Sequence, residues 1–224
     1  MTIELYTGFV GSGKSYAATK IGLQVAESFS DKYVIANFPI RPKKKTWYRK
    51  KPKEPRWIYK TNEDLTVDYL VKKSIEMGWN EKEGSCLVIF DEASIPFNSR
   101  SWNDKNRLKW IEFLTQSRKF GYDFIFITQD GKMLDKQIRA LCEYEVQHKK
   151  LNNMVYFKWL SLFRLTLFAG VAYWNGEKYG KGQLRLYFYR KSIADRYDTL
   201  RLFNYKDEVE ENEKVIDFEK VSDS

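Results

Sequence analysis

Apolar runs that end in polar groups recur along this chain and set its class. Ile3, Leu5 and Tyr6 form the first, Tyr33 to Phe38 the second, Ser85 to Glu92 the third and Asp123 to Gln129 the fourth. A strand buried on both faces of a parallel sheet reads as a continuous apolar run rather than an alternating one. Between the runs lie helical patterns. Ala17 to Ser28 contains no Pro, and Leu108, Ile111, Phe113 and Leu114 interleave with Arg107, Lys109 and Glu112 as an amphipathic helix would. Gly121 stands where a helix C-cap falls, after the basic residues Arg118 and Lys119. This alternation predicts an α/β fold, a mostly parallel sheet flanked by helices.

The last third reads differently. Met154 to Phe157, Phe163 to Ala172 and Gln183 to Tyr189 are strand-like in aromatic and β-branched content. The turn Asn175-Gly176-Glu177 with Gly180 and Gly182 would join the last two as a hairpin. Leu184, Leu186 and Phe188 alternate with Arg185, Tyr187 and Tyr189, so an edge hairpin packed through one face is expected. The organisation that follows is a core over residues 1–150, a small β-rich extension packed on it over 151–206, and an acidic tail over 207–224. No internal repeat is visible.

Chemistry enters with Gly8-Phe9-Val10-Gly11-Ser12-Gly13-Lys14-Ser15, which matches the phosphate-loop pattern G-x-x-x-x-G-K-[ST] at every fixed position. Its setting between a strand and a helix is what makes it informative. Glycines let successive N–H groups curl around phosphate oxygens, and the helix start adds partial positive charge. Residues Gly8 to Tyr16 are therefore the candidate ATP contacts. Lys14 would reach the β- and γ-phosphates and the Ser15 hydroxyl would ligate Mg²⁺. Without a ligand the same string is a glycine-rich turn.

Asp91 and Glu92 end the third apolar run, at the carboxyl edge where open α/β sheets bind ligands. Asp91 would hold Mg²⁺, directly or through water, and Glu92 could orient and deprotonate an attacking water. A second carboxylate favours hydrolysis over small-molecule phosphorylation. Gln129, at the tip of the fourth run, could bond both the γ-phosphate and that water, or be an ordinary strand end.

Charge narrows the partners. Residues 41–60 hold ten Lys or Arg and one Glu, which equals the formal excess of +9 for all 224 residues. Four of the five prolines, Pro39, Pro42, Pro52 and Pro55, fall in or beside this stretch, so a loop or irregular hairpin is expected. Lys43, Lys44, Lys45, Trp47, Arg49, Lys50 and Lys51 are its candidate contacts. Basic residues interleaved with aromatics suit single-stranded DNA, and they suit an anionic membrane surface equally. Asp207 to Ser224 carries eight acidic and two basic residues and reads as a mobile, solubilising tail. Cys86 and Cys142 lack C-x-x-C spacing and read as core thiols. The single His148, beside Lys149 and Lys150, excludes His-based metal clusters and is expected at the surface.

The strings G-F-V-G-S-G-K-S, V-I-F-D-E, S-R-K-F-G-Y-D-F-I-F-I-T-Q-D and M-L-D-K-Q-I-R-A-L, with an echo at R-Y-D-T-L (196–200), carry a resemblance. The chain resembles the zonula occludens toxin-like (Zot-like) assembly ATPases of filamentous bacteriophages, within the additional-strand P-loop ATPases that include DNA pumps. The resemblance implies an ATP-hydrolysing, Mg²⁺-dependent motor for assembly or export of a filamentous phage or related element. It also implies ATP-dependent homo-oligomers, as hexameric rings, with Arg118 or Arg139 supplied in trans, and phage DNA or coat proteins as partners. A DNA packaging or transfer ATPase is the alternative; a nucleotide-gated scaffold that does not hydrolyse is the alternative of another class. Members of that family carry a membrane-spanning helix after the motor. Here the longest uncharged run, Leu165 to Gly176, has 12 residues against the ~20 a bilayer needs. No N-terminal signal is expected, since Met1 leads straight into the first strand, and the expected place of action is the host cytoplasm, peripheral to the membrane.

Overall fold

The computed structural model describes residues 2–28, 31–41, 55–98, 104–157, 165–175 and 182–197. Its frame is one eight-stranded sheet. The strands are β1 (Ile3–Thr7), β2 (Tyr33–Ala36), β3 (Trp57–Tyr59), β4 (Cys86–Phe90), β5 (Tyr122–Ile127), β6 (Tyr144–Lys150), β7 (Leu167–Trp174) and β8 (Gln183–Phe188). Their order across the sheet is β3-β2-β4-β5-β1-β6-β7-β8. Every pairing from β3 through β6 is parallel, whereas β7 and β8 add antiparallel. Strand β5 separates β1 from β4, the topology of the additional-strand P-loop class.

The continuous apolar runs are buried on both faces, as expected. All five residues of β4 are buried. On one face Leu5, Val88, Phe124 and Phe126 pack with Leu70, Trp110, Phe113 and Ile138. These come from α2 (Val67–Met77), α3 (Asp104–Gln116) and α4 (Lys136–Leu141). On the other face Tyr6, Ile89, Ile125 and Ile127 meet Ala17, Ala18 and Ala26 of α1 (Lys14–Glu27). The small side chains let α1 lie close to the sheet, which fixes the phosphate loop at its start. Helix α2 has its own signals: Thr66 Oγ1 accepts from Tyr69 N, and Gly78 closes it at φ 66°.

Three expectations change. The stretch 41–60 is not wholly irregular, because Trp57–Tyr59 forms edge strand β3, parallel to β2. Residues 42–54, with Lys43, Lys44, Lys45, Trp47, Arg49, Lys50 and Lys51, lie outside the described residues, as does the tail. Met154 to Phe157 is not a strand; Val155–Phe157 is a 3₁₀ turn. His148 is buried at 1% exposure, not on the surface. It sits on β6 between Tyr6 and Tyr187, with ring centroids 4.6 and 6.1 Å away.

The sequence left open which face of β8 packs inward. Tyr187 is 6% exposed, while Leu184, Leu186 and Phe188 are 62%, 49% and 57% exposed. Register explains this choice of face. Arg185 lies opposite Gly170 and Tyr187 opposite Phe168, and Gly170 leaves the room that a larger residue would fill. Arg185 then reaches Glu4 of β1 through two hydrogen bonds of 2.9 and 3.0 Å. The two-pronged charged pair and the burial of Tyr187 both favour turning this face of β8 inward. Helix α5 (Lys191–Ala194) follows and brings the chain back over α1.

Candidate functional site

The carboxyl ends of β1, β4 and β5 converge on one edge of the sheet. The phosphate loop leaves β1 there in a conformation that depends on its glycines. Gly8, Gly11 and Gly13 have φ of 140°, 74° and 93°, values that disfavour any side chain. A Cβ on Gly8 would also fall 2.5 Å from the His148 carbonyl oxygen, and one on Gly13 would fall 2.6 Å from the Phe168 ring. At Gly11 nothing is close, so only the backbone angle demands glycine. The loop is braced from behind by β6 and β7, and its amides at the start of α1 are left without intrahelical partners.

Lys14 is buried and turned onto the loop itself, its Nζ donating to Gly8 O at 2.7 Å and Phe9 O at 3.1 Å. Burial pushes its ammonium below the usual lysine range, and the carboxylates of Glu92 and Asp91 oppose that shift. The three groups therefore share one electrostatic neighbourhood. Ser12 Oγ is buried without a hydrogen-bond partner, an acceptor or donor awaiting something polar. Phe9 and Val10 stand in solvent at 87% and 82% exposure.

Asp91, 4% exposed, is held by a neighbour that the motif search passes over. Asn37, after β2, receives the Asp91 amide on Oδ1 and donates Nδ2 to the Asp91 carbonyl, both at 2.7 Å. Its signal was legible: a polar residue ending an apolar run, by the same logic as Asp91 itself. Asp91 Oδ1 accepts from the Glu92 amide at 2.9 Å. Glu92 is the one non-glycine residue among those described with positive φ, at 47°. Such a backbone costs about 1 kcal/mol or more, and such strain clusters at functional sites. It turns the chain sharply, so that successive carboxylates point to different places.

Gln129 is exposed just beyond β5, beside the loop, where its carbonyl accepts from Gly8 N at 3.2 Å. Ser15 lies in the first turn of α1, where its hydroxyl opposes the burial that pushes the Tyr197 phenol up. Tyr16 points away from the loop: its hydroxyl donates to Phe188 O at 2.8 Å and accepts from Arg190 N at 2.9 Å. Arg118 is not at this edge within its own chain. It precedes β5 at the opposite end of the sheet, exposed, and pairs with Glu83 at 2.6 Å. Arg139 lies in the last turn of α4, its carbonyl accepting from Asn175 Nδ2.

The donor set fits a magnesium nucleotide. Among the described residues no cluster of three His, Cys, Asp or Glu could hold a metal alone. A hydroxyl and one carboxylate suit a hard cation that arrives with phosphate oxygens and keeps several waters. Ser15 and Asp91 supply those two groups, and the unpartnered Ser12 Oγ with the glycine-lined loop suits the phosphates.

Relatives place the chain. The gene 1 protein of Enterobacteria phage fd is 29% identical over 219 residues, covering 91% of this chain, which spans 61% of the length of that protein. The solved N-terminal domain of zonular occludens toxin from Neisseria meningitidis superposes with a TM-score of 0.51 at 21% identity, covering 88% of this chain and 98% of that one. The genome packaging NTPase of Sulfolobus turreted icosahedral virus 2, solved with ATP-gammaS, shares the fold at a TM-score of 0.50 and 14% identity over 83% of this chain and 96% of that one. The family model for zonular occludens toxin (Zot) matches residues 2–172; the chain, a P-loop NTPase in fold, belongs to that family.

Proposed function

We propose that the chain is an ATP-hydrolysing motor for assembly or export of a filamentous phage or related mobile element. The observation that carries this reading is the gathering of Lys14, Asp91 and Glu92 around a glycine-built phosphate loop on one sheet edge. The loop amides and Lys14 bind the triphosphate of ATP and orient it. Ser15 and Asp91 hold Mg²⁺, which when bound neutralises phosphate charge. Glu92 orients a water and accepts its proton as the water oxygen attacks the γ-phosphorus and the bond to ADP breaks. Gln129 contacts the γ-phosphate and reports its loss. Assembly into rings, hexameric by analogy with related motors, would bring Arg118 or Arg139 to a neighbour's site. The partner would be phage DNA or a coat protein, at the inner face of the host membrane. Among the described residues no helix is long and apolar enough to cross a membrane.

Phosphate release measured beside nucleotide binding tests the chemistry. Lys14→Ala should lose ATP binding, because the phosphates lose their buried cation. Glu92→Gln should keep binding and slow turnover by about 100-fold or more, since positioning a water is a transition-state task. Turnover by Glu92→Gln within a few-fold of the parent would remove Glu92 from the mechanism. Retained binding without any phosphate release by the parent protein would favour the nucleotide-gated scaffold.

A further inference from the structure

Asp91, one of the two residues that would hold the cation, is already committed to a side chain from far along the sequence. The Tyr197 hydroxyl donates to Asp91 Oδ2 and lies close enough to Ser15 to feel its hydroxyl. The phenol oxygen thus holds one of the two groups that the nucleotide chemistry assigns to Mg²⁺ and sits beside the other. Its ring is fixed edge-on against Phe38 at 4.9 Å. Its backbone is fixed as well: Tyr197 bridges Ile40 in antiparallel fashion, Arg41 N donates to Arg196 O at 2.9 Å, and Arg196 Nε donates back to Arg41 O at 2.6 Å. Arg196 is 5% exposed and pairs with Glu27 at the end of α1. Residues 191–197 therefore form a strap that crosses α1 and ends inside the site, tied to the first residue of the basic stretch.

We propose that the Tyr197 hydroxyl is a placeholder at the divalent-cation position, displaced when magnesium nucleotide binds, so that the strap and residues 40–41 report the state of the site. The proposal rests on Ser15 and Asp91 being the cation's protein ligands. Hydrogen-bonded oxygens stand about 2.7 Å apart and Mg²⁺–oxygen contacts are about 2.1 Å, so a phenol oxygen and a cation cannot both occupy the space between Ser15 and Asp91. The neutral phenol is the weaker partner for a carboxylate and gives way. Because its ring and backbone are tied to Phe38, Ile40 and Arg41, Tyr197 cannot withdraw without loosening those bonds. This links hydrolysis to the root of the segment that carries the chain's excess positive charge, and it gives a role to the R-Y-D-T-L string.

The test titrates Mg²⁺ into protein saturated with ATPγS and follows amide hydrogen exchange at Arg41 and residues 191–197. In the parent protein Mg²⁺ should raise exchange at these amides by about tenfold, while ATPγS with a chelator should not. Tyr197→Phe keeps the ring and its Phe38 contact. It should tighten apparent Mg²⁺ affinity by about tenfold, the factor that one hydrogen bond of about 1.5 kcal/mol to a carboxylate represents. Arg196→Gln loosens the strap from its other end and should act in the same direction. Unchanged or weaker Mg²⁺ affinity in both variants overturns the proposal, as does exchange at Arg41 that ignores Mg²⁺. If ATPγS does not bind, or Ser15→Ala with Asp91→Asn leaves Mg²⁺ dependence intact, the nucleotide site itself has been misread. If those controls behave and Tyr197→Phe does not, the placeholder alone fails.

Discussion

His148 shows at the scale of one residue how the site's rear wall constrains its chemistry. Burial pushes its imidazole from the usual 6.5 down to about 4; the Val146 carbonyl opposes this, while Lys14 and Arg185 reinforce it. The ring is therefore neutral in the folded protein, and its carbonyl backs Gly8 of the phosphate loop. The unfolded chain binds a proton at His148 below pH 6.5 and the folded chain only below about 4. Stability from this residue is complete above pH 6.5 and drains away as pH falls toward 4. At about 1.4 kcal/mol per pH unit the loss comes to about 3 kcal/mol. Denaturant midpoints for the parent and His148→Phe, taken at pH 7 and pH 4.5, should diverge accordingly, with the parent losing more; parallel losses would mean that His148 is not the group that titrates. The sequence offered one cue, a lone histidine beside two lysines, and it pointed outward. Strand alternation decided otherwise: Lys149 and Gln147 face out, so His148 between them faces in. By contrast, Lys14, Asp91 and Glu92 were legible because their chemistry is bound to strand ends and a fixed loop pattern, which residues alone specify.

At the scale of elements the same distinction separates what patterning reveals from what packing decides. The buried strands β1, β2, β4 and β5 were plain in the sequence because continuous apolar runs have few other solutions. Helix α2 escaped, although Thr66 and Gly78 mark its two ends, because its apolar face is narrow. The hairpin β7–β8 was visible as two strands, but not which face of β8 turns inward, since both alternating sets contain large side chains. The choice came from Gly170 and from the Glu4–Arg185 pair across the two intervening strands β6 and β7, which no local pattern contains. The choice of face has a direct consequence. Tyr187→Ala should cost about 3 kcal/mol, the usual loss for a buried aromatic. Leu186→Lys should stay within about 0.5 kcal/mol, as exposed substitutions do. Urea unfolding of the two variants reads both numbers; a larger loss at Leu186 than at Tyr187 would restore the apolar-in register.

At the scale of the whole molecule, charge and geometry meet at one end of β2. The phosphate-loop edge carries one positive and two negative groups, Lys14 with Asp91 and Glu92, whereas the ten positive residues of 41–60 hold the formal excess of the chain. The Ile40–Tyr197 bridge and the Arg41–Arg196 bonds join the two, so a motor of this kind would deliver nucleotide-driven movement where its charge is concentrated. If the stretch grips a phosphate backbone, binding to single-stranded DNA should fall steeply with salt, by about 0.7 in log–log slope per contact. Neutralising Lys43, Lys44 and Lys45 together should then flatten that slope by about two, and Trp47→Ala should weaken binding by about 1–3 kcal/mol if a base stacks on the indole. An anionic bilayer gives a different signature: the same lysine changes would weaken binding to liposomes by about 1 kcal/mol each, while DNA affinity would stay level. Titrating DNA and phosphatidylserine vesicles against the one triple variant, across a salt series, separates the two partners. Indifference of both would strip the stretch of its proposed role and leave the motor's grip to be sought elsewhere, first on the exposed Leu184, Leu186 and Phe188 face of β8.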